Sequence, residues 1–155
     1  ENHDQPRIAD IIDSEIKLKN WTIFYFFLKG ATLINAGQEY MLSEITDLFN
    51  KKAINWSSGN QEFYEFFKYG LKLAKGIKER CNRFKINMVC DGVVKIEWKS
   101  KSESYVIIVN LEGKYGAVEI GENITGFEML THKKIEIKNN LKLLKEPIIV
   151  KISTV

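Results

Sequence analysis

Two neighbouring segments, VKIEWK at residues 94–99 and YVIIVNL at residues 105–111, decide the fold class of the C-terminal half. In the first segment, Val94, Ile96 and Trp98 alternate with charged residues. This period of two predicts an antiparallel strand with one exposed face. The second segment is apolar on both faces, which predicts a strand at the centre of a sheet.

The same strand pattern continues to the end of the chain. Three further segments show it: KKIEIK at 133–138, LKLLK at 141–145 and PIIVKIS at 147–153. Turn-forming pairs separate the strands, namely Asp91-Gly92, Glu112-Gly113 and Asn139-Asn140. Short strands at this spacing predict a small antiparallel β-sandwich.

The N-terminal half shows helix and strand patterns in alternation. Apolar residues between Ile16 and Lys29 predict a largely buried helix that stops before Gly30. Residues 31–36, in the apolar run ATLINAG, predict a strand covered on both faces, as in a parallel sheet. Such a strand cannot close a sheet alone, so we expect partner strands upstream.

A long loop and a second helix follow. Residues 38–59 have no sustained period and predict a loop with one helical turn. A stripe of apolar residues then predicts a helix over residues 60–80, with Ser58 and Gln61 forming a capping box at its start.

Composition excludes several classes of protein. Of 155 residues, 45% are hydrophobic and 28% charged, which predicts a folded globular chain. The net charge of +3 comes from lysines spread along helices and strands, so we expect no nucleic-acid partner. No apolar run approaches the length of a membrane span. No zinc-ligand spacing and no phosphate-binding loop is present.

The chain opens on its densest polar cluster, ENHDQPR at residues 1–7. A His-Asp pair beside an arginine is compatible with a general-base dyad, a metal-site fragment or a ligand clamp. The alternative is a polar loop in which Asp4 caps the next helix. His3 and Asp4 can share a site only where a strand ends and turns, because adjacent residues on a strand point to opposite faces.

NHDQPR resembles the fourth conserved region of the alpha-amylase family of retaining glycoside hydrolases, closest to oligo-1,6-glucosidases and related alpha-glucosidases. Further segments resemble the same family in the same order: ATLINAGQE its eighth barrel strand and the turn after it, LFNKKAINW the following loop, QEFYEFFKYGLKLAKGIKER its last barrel helix, and VIIVNL a strand of its C-terminal β domain.

The resemblance implies an α/β plus all-β chain in two domains. Residues 1–81 would be the last portion of a (β/α)8 TIM barrel: the end of strand 7, helix 7, strand 8 and helix 8. Residues 82–155 would be the antiparallel β-sandwich domain. The preceding barrel strands, which would pack against this part, are not in the chain. We therefore expect Phe24, Phe27 and Ile34 to form an exposed apolar patch.

The resemblance also implies residue roles. Asp4 matches the family carboxylate that stabilises the transition state, and His3 matches the histidine that binds the same sugar hydroxyls. Arg7 would orient Asp4 or contact the next sugar. Gln38 and Glu39 would hydrogen-bond within their loop. The nucleophile and the acid/base would lie upstream, so we expect this chain alone to be inactive on its α-glucan or oligosaccharide substrate.

Some properties are open at this level. Trp56 could stack on a sugar, although packing under the loop is favoured. The motif continues with IADIID instead of the Ser-Arg-Phe-Gly of oligo-1,6-glucosidases, which leaves linkage preference undecided. No cofactor is expected in this chain. Two lone cysteines and the alpha-glucosidase-like motif favour a cytoplasmic protein. The alternative function is a non-catalytic carbohydrate-binding or interaction module derived from the family.

Overall fold

The computed structural model describes residues 1–12, 14–45 and 53–153. Helices come first: α1 (Ile8–Ile11), α2 (Glu15–Phe27) and α3 (Gln61–Arg80), with 3-10 turns at Gln38–Tyr40 and Trp56–Ser58. The strands follow: β1 (Arg83–Cys90), β2 (Val93–Lys99), β3 (Ser104–Asn110), β4 (Ala117–Glu119), β5 (Ile124–Glu128), β6 (Lys133–Ile137), β7 (Asn140–Lys142) and β8 (Ile148–Ile152).

Six of these strands form one antiparallel sheet in the order β1-β2-β3-β8-β5-β6, and β4 pairs with β7 in a separate ribbon. The predicted neighbours β2 and β3 pair along their full length, from Val93 opposite Asn110 to Lys99 opposite Ser104. Strands β5 and β8 lie close together at Gly126 of β5. A Cβ at this position would collide with the Lys151 carbonyl of β8. The prediction of an antiparallel β half is confirmed.

Helices α2 and α3 cover one face of the large sheet. Phe26 and Phe67 pack edge to face with ring centroids 4.8 Å apart, within a core that includes Ile96 and Ile107 of the sheet. Trp98 Nε1 donates a hydrogen bond of 2.9 Å to the Phe27 carbonyl, so the sheet also satisfies the end of α2. The two helices and the sheet therefore pack in one common core.

A buried amide strengthens this contact. Asn20 of α2 is 1% exposed. Its Nδ2 donates to the carbonyls of Ile16 (2.9 Å) and Lys145 (2.7 Å), and its Oδ1 accepts from the backbone N–H of Asn110 at 2.8 Å. One side chain thus connects the helix to the end of β3 and to the segment before β8.

The β4–β7 ribbon covers the opposite face around a second core that contains Val106, Ile108 and Val150. The prediction that β2 has an exposed charged face is wrong, because Lys95 and Glu97 are 7% and 6% exposed. Lys95 Nζ donates to the Ile120 carbonyl at 3.0 Å and to Glu122 Oε1 at 2.9 Å. These charges are paired under the ribbon, as buried charges must be.

The N-terminal helices agree with the sequence in extent but differ in detail. Helix α2 ends at Phe27, and Gly30 follows with φ +108°. The predicted helix over residues 60–80 is confirmed. The capping box at Ser58 is wrong: Asn60 is the N-cap, and its Oδ1 accepts from Phe63 N at 2.9 Å. Asparagine caps as well as serine, so residue type alone does not favour Ser58 over Asn60.

Residues 31–36 were predicted to form a barrel strand, and they form none. A parallel strand exists only through hydrogen bonds to neighbours, and no strand in the described part of the chain pairs with this segment. The Tyr25 hydroxyl instead bonds both backbone groups of Leu33: it accepts from the N–H at 2.8 Å and donates to the carbonyl at 3.0 Å.

The expected apolar patch is present only in part. Phe27 is completely buried, so its predicted exposure is wrong; Trp98 and the sheet cover it. Phe24 and Ile34 are partly buried, and Leu33 is 61% exposed. An apolar groove of about 420 Å³ lies open beside Ile34, lined also by Phe26, Leu71 and Ala74.

The boundary between residues 81 and 82 separates the helices from the sheet. The largest core nevertheless joins both sides, since it includes Phe26 and Phe67 together with Ile96 and Ile107. The division into two domains stays a prediction. None of the described helices has the length and apolar character needed to span a bilayer.

A carboxylate before β3 connects three elements. Glu103 Oε1 lies 2.6 Å from Lys151 Nζ on β8, and Glu103 Oε2 lies 3.0 Å from Arg80 Nε at the end of α3. The hydrogen bond from Lys151, with further ones from Arg80 and Tyr105, lowers the pKa of Glu103 to about 2. A carboxyl whose pKa is lower in the folded state stabilises the fold while it is ionised.

This lowered pKa predicts a specific acid sensitivity. An unfolded glutamate has a pKa of about 4.3, so the stabilisation from Glu103 is complete above that pH and is lost as the pH falls towards 2. Urea denaturation at pH steps between 2 and 6 should show a steeper loss of unfolding free energy in wild type than in Glu103→Gln. Glu119→Gln, at an exposed position on β4, controls for loss of one carboxylate. Parallel curves for wild type and Glu103→Gln would contradict the assignment.

Candidate functional site

The first turn of the chain presents two polar side chains to solvent. His3 Nε2 and Asp4 Oδ1 lie 3.2 Å apart, with side chains 55% and 74% exposed. Asn2 closes the turn, because its Oδ1 accepts from the backbone N–H of Asp4 at 2.9 Å. Two adjacent residues can face the same side here because the backbone turns instead of extending. The alternative of Asp4 as a helix cap is not observed, since Arg7 is the N-cap of α1 and makes no side-chain cap bond.

Arg7 anchors this turn to the rest of the chain. Its guanidinium is 2% exposed and donates to the Ala36 carbonyl at 2.8 Å and to the Glu44 carbonyl at 3.0 Å. A third bond of 2.7 Å goes to Glu1 Oε1, whose side chain is 4% exposed. The second Glu1 oxygen accepts from Ile8 N at 2.8 Å. The buried pair therefore closes residues 1–8 into a ring and fixes that ring on residues 36–44.

The loop that receives Arg7 is itself tightly constrained. Gln38 Oε1 accepts from Asn35 N at 3.2 Å, and Glu39 Oε2 accepts from Gly37 N at 2.9 Å. Gly37 has φ +95°, and a Cβ there would lie 2.9 Å from Leu42 Cδ1 and 3.4 Å from Arg7 Nη2. Glycine thus suits both the positive φ of this turn and its close contact with Leu42. The prediction that Gln38 and Glu39 bond within their loop is confirmed.

Three aromatic side chains, Trp56, Tyr40 and Tyr64, form a column. Trp56 is 50% exposed and contacts Tyr40 edge to face, with centroids 5.8 Å apart. Tyr40 in turn stacks on Tyr64 at 4.5 Å with an angle of 4° between rings. Burial raises the pKa of Tyr40, so this hydroxyl stays neutral at physiological pH.

A cleft of about 180 Å³ lies beside Arg7 and the turn that carries Trp56. Its lining includes Arg7, Leu42 and Ser43 together with Asn55 and Ser58, which flank Trp56. The Leu48-Phe49 part of the loop motif lies outside the described residues. Within residues 1–12, 14–45 and 53–153, no group of three or more His, Cys, Asp or Glu side chains could hold a metal ion.

The predicted residues are thus only partly brought together. His3 and Asp4 are adjacent and accessible, which suits ligand binding. Arg7 as a sugar contact stays a prediction, and the structure gives its guanidinium internal acceptors instead. Sequence reasoning missed Glu1 and assigned Asn2 no role. The preference of asparagine for turns of this kind was the available signal for Asn2.

No protein-family model and no curated protein sequence matches the chain. Its fold is similar to solved structures of alpha-amylases. A noncanonic maltogenic alpha-amylase from Thermotoga neapolitana superposes with a TM-score of 0.84 at 22% identity, over 100% of this chain and 40% of that chain. An alpha-amylase from Lactobacillus plantarum gives 0.79 at 23% identity, over 99% and 37%.

An alpha-amylase from Geobacillus thermoleovorans, solved with acarbose, gives 0.73 at 17% identity, over 99% of this chain and 38% of that chain. The chain therefore spans about two fifths of the length of these proteins. It corresponds to their C-terminal part, and its antiparallel sheet matches their C-terminal β domain. At these identities the likeness establishes the fold.

The Glu1–Arg7 pair yields a stability prediction. Arg7→Met leaves the buried Glu1 carboxylate without its cation, so the free energy of unfolding in urea should fall by about 3–5 kcal/mol. Combining Glu1→Gln with Arg7→Met should recover part of this loss, because the uncompensated charge is gone. Arg83→Met, at an exposed arginine on β1, should cost less than about 1 kcal/mol. Equal losses for Arg7→Met and Arg83→Met would show that the buried pair is not stabilising.

Proposed function

We propose that this chain is the C-terminal part of a retaining glycoside hydrolase of the alpha-amylase family, which cleaves α-glucosidic bonds of starch-derived glucans or oligosaccharides. One observation carries the proposal: the NHDQPR turn exposes His3 and Asp4 side by side in a chain whose whole length has the fold of alpha-amylase structures. The motif is nearest to that of oligo-1,6-glucosidases, and IADIID after it keeps α-1,4 cleavage and transglycosylation as options.

Asp4 is proposed to bind sugar hydroxyls at the bond that is cleaved. A carboxylate forms short charge-assisted hydrogen bonds with hydroxyl groups. Such bonds strengthen as the sugar ring gains positive charge in the oxocarbenium-like transition state, so they lower the barrier and not only the dissociation constant. His3, 3.2 Å from Asp4, would bind the same hydroxyls and hold the carboxylate in position.

Bond cleavage itself needs groups from outside this chain. A retaining glycosidase uses a nucleophile and an acid/base whose carboxyl groups stand about 5–5.5 Å apart. In the family, both come from earlier barrel strands. The complete protein would thus assemble its site from two parts, with this chain supplying the binding carboxylate.

The N-terminal elements fit the end of a barrel under this proposal. Helix α2, residues 31–36 and α3 would be helix 7, strand 8 and helix 8. The open apolar groove beside Ile34 and Leu71 would be covered by preceding barrel elements. Residues 31–36 would then gain the strand partners that they lack here. We propose a cytoplasmic location on the grounds of the motif and the two lone cysteines.

The proposal predicts how substitution of Asp4 acts in the complete protein. On maltooligosaccharides, Asp4→Asn should lower kcat by about a hundredfold or more, because it weakens an interaction that strengthens in the transition state. Thermal stability should not change, since Asp4 is 74% exposed. Asp10→Asn, at an exposed aspartate on α1, is the matched control and should leave kcat unchanged.

The 155-residue chain alone should show no turnover of the same substrates. Turnover by the chain alone that Asp4→Asn abolishes would contradict the need for upstream carboxylates. A complete protein without any activity on α-glucans would favour the non-catalytic carbohydrate-binding or interaction module instead.

A further inference from the structure

Trp56 differs from the two other tryptophans of the chain. Trp98 is 5% exposed and bonded to the Phe27 carbonyl, and Trp21 is half-buried against Phe24, so both belong to the core. Trp56 is 50% exposed. Contact with Tyr40 covers part of the indole and leaves the rest open to solvent. The sequence-based preference for packing under the loop does not account for this exposure.

The exposed indole is held rigidly from below. Tyr40 contacts Trp56 on one side and stacks on Tyr64 on the other. The Tyr40 carbonyl accepts a 2.9 Å bond from Asn60 N, and a Cβ at Gly59 would lie 2.9 Å from the Tyr40 ring. The column is therefore packed against backbone at the start of α3.

The turn that carries Trp56 is closed by its own side chains. Asn55 Oδ1 accepts from Ser57 N at 3.2 Å and from Ser57 Oγ at 2.6 Å, while Ser58 Oγ donates to the Asn55 carbonyl at 2.8 Å. An aromatic ring on such a turn loses less conformational entropy when a ligand binds. Single exposed aromatics are usual on protein surfaces; this one also contacts Tyr40 and stands on a turn closed by Asn55.

The position of Trp56 relates it to the proposed site. Asn55 and Ser58, on either side of it, line the cleft to which Arg7 also contributes. Arg7 anchors the turn of His3 and Asp4. Trp56 is thus flanked in the chain by two residues of the cleft, whose lining includes the arginine that holds the proposed site.

We propose that Trp56 is a stacking residue for a glucose unit of an α-linked glucan, at a position separate from the sugar bound by Asp4. The C–H-lined face of a pyranose packs on an aromatic ring, and hydroxyl groups at its rim bond to nearby polar groups such as those of the cleft. The choice of ligand class rests on the proposed function. The stacking itself rests on the exposure and rigidity of Trp56.

Titration of the 155-residue chain with maltoheptaose tests the proposal. The Trp56 indole N–H resonance and the tryptophan fluorescence should change saturably, while the resonances of Trp21 and Trp98 stay fixed. Trp56→Ala should weaken binding about tenfold or more, and Trp56→Phe should restore part of it. Trp21→Phe is the matched control and should bind like wild type. Cellohexaose, a β-linked glucan of different shape, should bind more weakly.

Two results would overturn the proposal: no change at the Trp56 resonance up to saturating maltoheptaose, or undiminished binding by a folded Trp56→Ala chain. If Trp56→Ala does not fold, Trp56→Phe with unchanged affinity decides against stacking. In the complete protein, Trp56→Ala should raise KM for long maltooligosaccharides and leave kcat unchanged. Unchanged KM with normal cleavage would remove the stacking role and keep the proposed function. If the complete protein is inactive but binds the glucan through Trp56, the stacking role stands and the proposed function is wrong.

Discussion

The fold depends on covering both faces of the central strands β2 and β3. Every residue from Val93 to Trp98 is buried, including the charged Lys95 and Glu97. An antiparallel sheet can leave one face in water, but this one has α2 and α3 on one side and the β4–β7 ribbon on the other. The helices therefore share one core with the sheet, and the loops next to them are attached to that core.

One buried arginine attaches the proposed site to these loops. Arg7 takes its hydrogen-bond acceptors from three separate segments: the Glu1 side chain and the carbonyls of Ala36 and Glu44. These bonds set the position of the His3–Asp4 turn relative to the loop that ends at Trp56. Arginine suits such a position because its planar group holds several donors in fixed directions. These polar contacts thus fix the geometry of the turn and also contribute to stability.

Local patterns predicted most of the architecture and failed where distant parts meet. Alternation in residues 94–99 predicted β2, but it could not show that a ribbon would bury Lys95, since that contact comes from residues more than twenty positions away. The strand over residues 31–36 failed because strand formation needs a partner. The pairing of Glu1 with Arg7 could not be predicted either. The sequence does not distinguish an arginine that binds a ligand from one that donates to backbone carbonyls.

The Tyr25 hydroxyl takes the place that a neighbouring strand would fill beside Leu33. In a sheet, one residue of the adjacent strand satisfies both the amide and the carbonyl of the residue opposite it. Here a single phenol does this, at 2.8 and 3.0 Å. An extended apolar segment with free backbone groups would be a template for polymerisation through its edge. By bonding both backbone groups of Leu33, Tyr25 leaves an added strand without a free amide or carbonyl at this residue.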